Sequence, residues 1–189
     1  MGNSKSFAGL TEDLLEEYII FTYLSKSEIL HLYKTFGQIE ARGQLSDLNF
    51  RFPYDAIESL FPQLKYNPFR DRIFTVFSSQ KDGRMSFEDV LDLCSAMSEK
   101  CPDNVKAAWA FHIFDFDEDG FVGEEDLKMV VSRLTEGPDM CLTEVEQKHI
   151  VDTLFEQMDL EASGKITAQE FIHAVGKMSE FPQSFSFRL

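Results

Sequence analysis

Carboxylates recur at every second position in one short stretch of this chain, residues 115–126, DFDEDGFVGEED. Counted from Asp115 as position 1, positions 3, 5, 7 and 12 are Asp117, Asp119, Phe121, which offers its backbone carbonyl, and Asp126. This alternation is typical of a calcium-binding loop, which turns oxygen ligands inward around a hard cation. Gly120 at position 6 allows the sharp turn that such a loop needs. The spacing therefore predicts a cation site.

A second loop of the same kind is predicted at residues 159–170. Positions 1, 3, 5, 7 and 12 are Asp159, Glu161, Ser163, Lys165, which offers its carbonyl, and Glu170. Thr167 and Glu170 also have the spacing of a capping box, so the carboxylate that closes the loop is expected to begin the exit helix. Metal binding at this loop is therefore expected to be coupled to the orientation of that helix.

The two loops are expected to differ in metal preference. Asp126 is shorter than the glutamate usual at position 12, which favours six-coordinate geometry, so loop 115–126 is expected to hold Mg²⁺ at resting calcium and Ca²⁺ with modest affinity. Loop 159–170 keeps Glu170 and is expected to prefer Ca²⁺. Neutral Ser163 and the longer Glu161 weaken it, because fewer well-placed charges face the ion.

The N-terminal half predicts similar helices without the ligands. A short helix is expected from Thr11 to about residue 24, and a capping box at Ser25 and Glu28 predicts the next helix. Residues 37–53 interrupt the helical pattern and carry no ligand set. Residues 78–89 align with the calcium loop, but Ser and Gln replace two of the acids, so we expect this loop to be folded by packing and to hold no calcium.

These units predict an all-α fold of four helix-loop-helix EF-hands in two lobes, with short β pairing between paired loops. The expected divisions are an N-terminal acylation signal and helix (residues 1–24), an N-lobe with two degenerate EF-hands (25–100), a C-lobe with two metal-binding EF-hands (103–180) and a C-terminal extension (181–189). Thr143 and Glu146 predict a further helix start by the capping-box spacing. The extension, FPQSFSFRL, is expected to act as a short apolar plug.

Composition excludes several classes of function. A formal net charge of −15 argues against nucleic-acid binding and suits cations or basic partner segments. The four histidines lack metalloprotease spacing, and no phosphate loop or serine elbow is present, so an enzyme is not expected. Three cysteines without a metal pattern indicate reduced thiols in the cytosol.

The first residues, MGNSKS, match the N-myristoylation pattern, with Gly2 as the acylated residue and Ser6 at the favoured position. One acyl chain binds a membrane weakly and reversibly, and no basic cluster follows it. We therefore expect a cytoplasmic protein, peripheral at the plasma membrane, that relies on a partner to stay there.

The sequence resembles the calcium- and integrin-binding protein family over nearly its whole length. The segments that carry the resemblance are MGN at the start, NPFRDRI at 67–73, MSFEDVLDL at 85–93, AFHIFDFDEDG at 110–120 and FPQSF at 181–185. The chain differs from the family pattern at Glu161 and Ser163, where the family commonly has Asp. That difference puts the calcium strength of loop 159–170 in question.

The resemblance implies two silent and two active EF-hands and a C-terminal segment that covers a hydrophobic groove. Family members bind amphipathic helices from integrin α tails and, for some, from mechanotransduction channels. The residues expected to line the groove are Trp109, Phe111, Leu127, Val131, Leu134, Leu154, Phe155, Phe171, Val175 and Met178.

Three functions are open at this point. The first is a non-enzymatic adaptor that docks an apolar helix from the cytoplasmic part of a membrane protein. The second is a calcineurin B-like regulatory subunit of a phosphatase or ion exchanger, which Ser78 and Gln80 disfavour because calcineurin B is expected to fill all four loops. The third is a simple calcium buffer, which would need tighter loops and fewer than the 19 phenylalanines present.

Overall fold

The computed structural model of the protein describes residues 9–39, 47–137 and 142–186. The described chain is mainly helical and confirms the all-α class. Gly2, the candidate acylation site, lies outside the described residues, as does Cys141.

The secondary structure follows the predicted order of helix-loop-helix units. The helices are α1 (Glu12–Phe21), α2 (Lys26–Phe36), α3 (Tyr54–Glu58), α4 (Arg70–Phe77), α5 (Phe87–Ala96), α6 (Asp103–Phe114), α7 (Glu124–Thr135), α8 (Glu144–Met158), α9 (Ala168–Val175) and α10 (Phe181–Ser184). A 3₁₀ turn covers Pro62–Leu64. Strands β1 (Phe52–Pro53) and β2 (Arg84–Met85) pair antiparallel, with Phe52 opposite Met85.

Helix starts are set by local side-chain caps, as the sequence predicted. Capping boxes form at Ser25 with Glu28, at Thr143 with Glu146 and at Thr167 with Glu170. Each satisfies amide groups of the first turn that have no partner within the helix. These three predictions are confirmed.

The chain divides into two compact units. Of the described residues, the first comprises 9–39, 47–67, 74–101 and 186. Its core is aromatic: the buried ring of Phe87 makes edge-on contacts with Tyr18, Tyr33 and Phe36, at centroid distances of 6.1, 5.7 and 5.4 Å. Such edge-to-face pairs add to the free energy gained by burying the rings.

The second unit comprises the described residues 68–73, 102–137 and 142–185. An isolated antiparallel bridge joins Val122 and Ile166, whose amides and carbonyls exchange hydrogen bonds of 2.9 and 3.0 Å. With the β1–β2 pair of the first unit, it confirms the predicted β pairing between loops. The buried core of this unit consists of Ala107, Ala110, Phe111, Val122, Leu127, Val131, Val151, Met158, Ile166, Phe171 and Val175.

Residues 68–73 belong by contacts to the second unit, although the sequence analysis placed them in the N-lobe. Arg133 makes a two-pronged ion pair with Asp71, at 2.6 and 2.9 Å, and also donates to the carbonyl of Pro68. Phe69 packs against Phe114, with ring centroids 5.0 Å apart. These long-range contacts leave no local pattern in the sequence.

The described part of the C-terminal extension forms α10 and the residues after it. The half-buried rings of Phe181 and Phe185 stack 5.8 Å apart and pack against the core of the second unit. Buried Lys106 donates a hydrogen bond to the carbonyl of Pro182 at 3.4 Å. The segment thus lies over apolar side chains of the second unit.

Two further points concern membranes and thiols. In the described parts of the chain, no helix has both the length and the apolar character needed to cross a membrane. Cys94 and Cys101 are buried, and within the described residues neither forms a disulfide.

The aromatic core of the first unit yields a stability prediction. Phe87→Ala should lower the free energy of unfolding by about 3–5 kcal/mol, since it removes a fully buried ring and leaves a cavity. Urea unfolding followed by circular dichroism measures the change. The control is Tyr66→Ala, because Tyr66 is 86% exposed and its loss should cost less than about 0.5 kcal/mol. Equal effects of the two variants would contradict the prediction.

Candidate metal centre

Loop 115–126 gathers carboxylates as the spacing predicted. Asp115, Asp117 and Asp126 each direct an oxygen to a common point, where these atoms all lie within 4.8 Å of one another. A search of the described residues for three or more Asp, Glu, His or Cys side chains close enough to share a metal ion finds this group. Asp115 and Asp126 are buried, whereas Asp117 is exposed.

The backbone of the loop is shaped by two residues with positive φ, Glu118 at 59° and Gly120 at 86°. This curl turns two amides toward Asp115: Asp119 N donates to Oδ1 at 3.2 Å and Gly120 N donates to Oδ2 at 3.0 Å. The carboxylate at position 1 is therefore oriented by the loop itself.

Asp126 closes the loop and caps the exit helix. Its Oδ1 accepts from Phe116 N at 2.9 Å, and its Oδ2 accepts from Gly123 N, in the N-cap residue of α7, at 2.8 Å. Each carboxylate oxygen has a further lone pair for a cation. A metal ion that pulls on Asp126 would therefore act directly on the start of α7.

The electrostatics of this cluster fit a divalent cation. Burial, followed by the charges of Asp126, Asp119 and Asp117, raises the pKa of Asp115 above its usual value. A cation offsets both effects, because it replaces lost hydration and screens the repulsion between like charges. Oxygen ligands of this kind suit Ca²⁺ or Mg²⁺.

Loop 159–170 has the same backbone but a looser ligand set. Glu170 Oε1 accepts from Leu160 N at 2.8 Å and Oε2 accepts from Thr167 N at 2.9 Å, so Glu170 closes this loop as Asp126 closes the other. These bonds, with that of the Thr167 hydroxyl, lower the pKa of Glu170. Ser163 Oγ donates to the carbonyl of Lys165 at 2.8 Å. One predicted ligand is thus hydrogen-bonded to another, and Glu161 is exposed.

Asp119 stands apart from the other carboxylates of its loop because it has a partner in the second loop. Lys165 Nζ lies 2.5 Å from Asp119 Oδ2 and 4.9 Å from the centre of the Phe121 ring. The hydrogen bond from Lys165 lowers the pKa of Asp119. Lys165 was predicted to contribute only a carbonyl, so this side-chain contact is new.

Arg72 is a positioning residue that the sequence analysis missed. Its guanidinium donates to the carbonyls of His112 and Asp115 at 3.0 and 2.6 Å and lies 3.3 Å from Glu118 Oε1. It therefore satisfies carbonyl groups at the C-terminal end of α6 and fixes the entry to the metal loop. The only sequence signal for Arg72 was its place in the NPFRDRI segment that carries the family resemblance, and that signal does not indicate a role at the metal loop.

The expectation that packing alone folds loop 78–89 was incomplete. Arg51, which precedes β1, donates hydrogen bonds to several side chains of this loop, including Asp82 and Asp89. The sequence does not indicate this contact, because Arg51 lies in the interruption at residues 37–53, 31 and 38 residues from Asp82 and Asp89.

The predicted groove residues fall into three classes in the structure. Phe111, Leu127, Val131, Phe171 and Val175 are buried in the core of the second unit. Leu154 and Phe155 pack at its margin, and Trp109 is half-buried. Leu134 and Met178 are 56% and 47% exposed. The groove itself stays a prediction.

Comparison with known proteins agrees with this geometry. The sequence profile of the EF-hand domain pair matches residues 105–176, which span both metal loops. "Calcium and integrin-binding family member 2" of Drosophila melanogaster is 34% identical over the full length of both chains. The human proteins of that name and of the name "Calcium and integrin-binding family member 3" are each 32% identical, again over both full lengths.

The chain belongs to the calcium and integrin-binding family. It is a Ca²⁺-binding EF-hand protein, as the resemblance in the sequence had indicated.

The contact between Lys165 and Asp119 predicts that Lys165→Met strengthens cation binding at loop 115–126. The change frees a carboxylate and removes a positive charge, so affinity should rise about two- to fivefold, in line with the small energy of an exposed ion pair. Isothermal titration with Ca²⁺ and Mg²⁺ measures it. Lys26→Met is the matched control, since Lys26 is about as exposed as Lys165 and pairs with Glu12 in the first unit, outside both loops. Unchanged affinity in Lys165→Met would contradict the role of Lys165.

Proposed function

We propose that this protein is a non-enzymatic adaptor that docks an amphipathic helix from the cytoplasmic part of a membrane protein, either an integrin α tail or a mechanotransduction channel. The observation that carries the proposal is the packing of Phe181 and Phe185 on the core of the second unit. A short segment with apolar residues on one side already fits this surface, which is how helix-in-groove recognition works. The integrin binding in the names of its relatives supports this class of partner.

A pocket beside the last metal loop offers a route from metal to partner. Its volume is about 190 Å³, and its walls include Met158, Glu170, Ala174 and Met178. Because Glu170 also closes loop 159–170, a change in its position alters the pocket wall. Methionine side chains at the other wall adapt easily to different apolar partners.

Charge and acylation support the proposed location. The net charge of −15 favours partner segments rich in lysine and arginine, which are common next to membrane spans. We infer a cytoplasmic protein, peripheral at the plasma membrane, with a myristoyl group on Gly2 as a weak second contact.

The metal assignment extends to Mg²⁺ at loop 115–126. Asp126 already uses both oxygens to accept backbone amides, and its short side chain favours a six-coordinate ion. On this proposal Mg²⁺ holds the loop at resting calcium, and loop 159–170 provides the calcium-sensitive step through Glu170.

Two variants test the metal assignment. Asp126→Glu should raise Ca²⁺ affinity and lower Mg²⁺ affinity at loop 115–126, each by about tenfold, because the longer side chain reaches for two-oxygen contact. Glu170→Gln should abolish the calcium response of loop 159–170 and leave Mg²⁺ binding intact. Isothermal titration in each metal measures both. Calcium binding unchanged in Glu170→Gln would rule out this loop as the calcium site.

Docking is tested with a fluorescent integrin α tail peptide and the full chain. Leu134→Gln should weaken binding by about tenfold, since it places a polar group in the predicted groove. Val145→Gln is the matched control: Val145 is 79% exposed in the same unit but outside the predicted groove. Removal of the covering rings by Phe181→Ala with Phe185→Ala should strengthen binding. Fluorescence anisotropy in Ca²⁺ and in EGTA measures each constant.

Two outcomes would overturn the adaptor proposal. One is equal peptide affinity in the Leu134, Val145 and tail variants. The other is co-purification from membranes of a phosphatase or an ion exchanger in place of an integrin or channel, which would favour the calcineurin B-like function.

A further inference from the structure

The degenerate loop of the first unit, residues 78–89, has the backbone of a metal loop despite its poor ligands. Lys81 and Gly83 have φ of 50° and 77°, at the same two positions as Glu118 and Gly120 in loop 115–126. Its closing carboxylate, Asp89, accepts from the amides of Ser79 at 3.2 Å and Ser86 at 2.9 Å, as Asp126 does at the equivalent positions. A further interaction must therefore stabilise the curled backbone of this loop in place of a metal ion.

The guanidinium of Arg51 occupies the centre of that loop. Its Nη2 atom donates to Ser78 Oγ at 2.9 Å, to Asp82 Oδ1 at 2.9 Å and to the carbonyl of Arg84 at 2.7 Å. Its Nη1 atom donates to Asp89 Oδ2 at 2.8 Å. These four acceptors stand at positions 1, 5, 7 and 12 of the loop, which are the positions that face the cation in a metal-binding EF-hand.

The charge and the hydrogen-bond donors of Arg51 match the acceptors that surround it. Arg51 has only 12% of its side chain exposed, and its partner Asp89 has 6%. A planar guanidinium offers five fixed donors and stays charged, so it satisfies two carboxylates, a carbonyl and the hydroxyls of Ser78 and Ser79 together. Neutral Ser78 fits this cation well, because its hydroxyl accepts from Arg51 and donates to the carbonyl of Arg84 at 2.7 Å.

The second unit shows an equivalent but weaker arrangement. Arg51 directly precedes Phe52, which pairs with Met85 of loop 78–89; Lys165 directly precedes Ile166, which pairs with Val122 of loop 115–126. Each basic residue thus reaches from the β pair into the neighbouring loop. Lys165 is half exposed and contacts one carboxylate, whereas Arg51 is enclosed and contacts five residues of its loop.

We propose that the guanidinium of Arg51 is the permanent cation of loop 78–89, in the place where a metal ion sits in a functional EF-hand. The first unit is thereby held in the curled-loop form at every calcium concentration. The response to calcium is confined to the two loops of the second unit. Removing the side chain creates a binding site for a soluble guanidinium.

The test is hydrogen exchange of the full chain with Arg51→Ala. The amides of Ser79 and Arg84 report on the loop, because they donate to Asp89 and Asp82. We expect their exchange to quicken about tenfold or more, since charge-assisted hydrogen bonds that order the loop are lost. N-ethylguanidinium, which has the missing atoms of the side chain, should restore protection at about 10 mM.

Lys26→Ala is the control. It removes an exposed cation of the first unit whose ion-pair partner, Glu12, lies outside loop 78–89. Exchange of the loop amides should stay near the wild-type rate, and N-ethylguanidinium should have no effect. If Arg51→Ala fails to fold, Arg51→Lys replaces it. The lysine ammonium keeps the positive charge but lacks the planar set of donors, so protection of the loop amides from exchange should be intermediate.

A gain of function gives independent evidence. Ser78→Asp with Gln80→Asp supplies the missing acids, and in the Arg51→Gln background the chain should take up one more Tb³⁺ ion than the wild type. The same two changes with Arg51 retained should bind that ion at least tenfold more weakly, because the guanidinium competes for the site.

Three results would overturn the proposal. They are wild-type exchange in Arg51→Ala, no rescue by N-ethylguanidinium in that variant, and calcium-dependent exchange of the Ser79 and Arg84 amides in the wild-type chain. Equal Tb³⁺ affinity with and without Arg51 would likewise count against it.

Discussion

One contact is repeated in all three well-formed loops, and the rest of the architecture depends on it. The carboxylate at position 12, from Asp89, Asp126 or Glu170, accepts the amides of positions 2 and 9 at once. Because position 9 is the N-cap of the exit helix, one side chain closes the loop and begins the helix. Any cation that binds this carboxylate therefore acts on a helix terminus without an intermediate step.

Each loop concentrates negative charge that must be balanced, and the chain uses different cations to do so. Loop 78–89 has its own arginine, which is enclosed and multiply bonded. Loop 115–126 has three convergent carboxylates suited to a divalent ion, with Lys165 paired to a fourth. A guanidinium that is part of the chain and enclosed by it stays in its loop, whereas a metal ion can leave its loop for solvent. On this proposal, loop 78–89 keeps its cation at every calcium concentration, and the loops of the second unit respond to calcium.

In the proposed function, the calcium response of the second unit is joined to an apolar surface. Phe181 and Phe185, in and just after α10, pack against the core of the second unit. Buried Lys106 donates a hydrogen bond to the carbonyl of Pro182 in α10. Glu170 belongs both to a metal loop and to the pocket beside Met178. A change in the position of Glu170 at the last loop therefore alters the wall of this pocket.

The sequence alone determined the features that depend on residues close together along the chain. The capping boxes at Ser25, Thr143 and Thr167, the curled loop 115–126 and the all-α fold follow from spacing, because a cap or a loop closes within a few residues. Only the tertiary structure showed which basic side chain contacts the carboxylates of each loop. Arg51 lies 27 to 38 residues from its partners and Lys165 lies 46 from Asp119, and long flexible side chains leave no periodic signal of where they end.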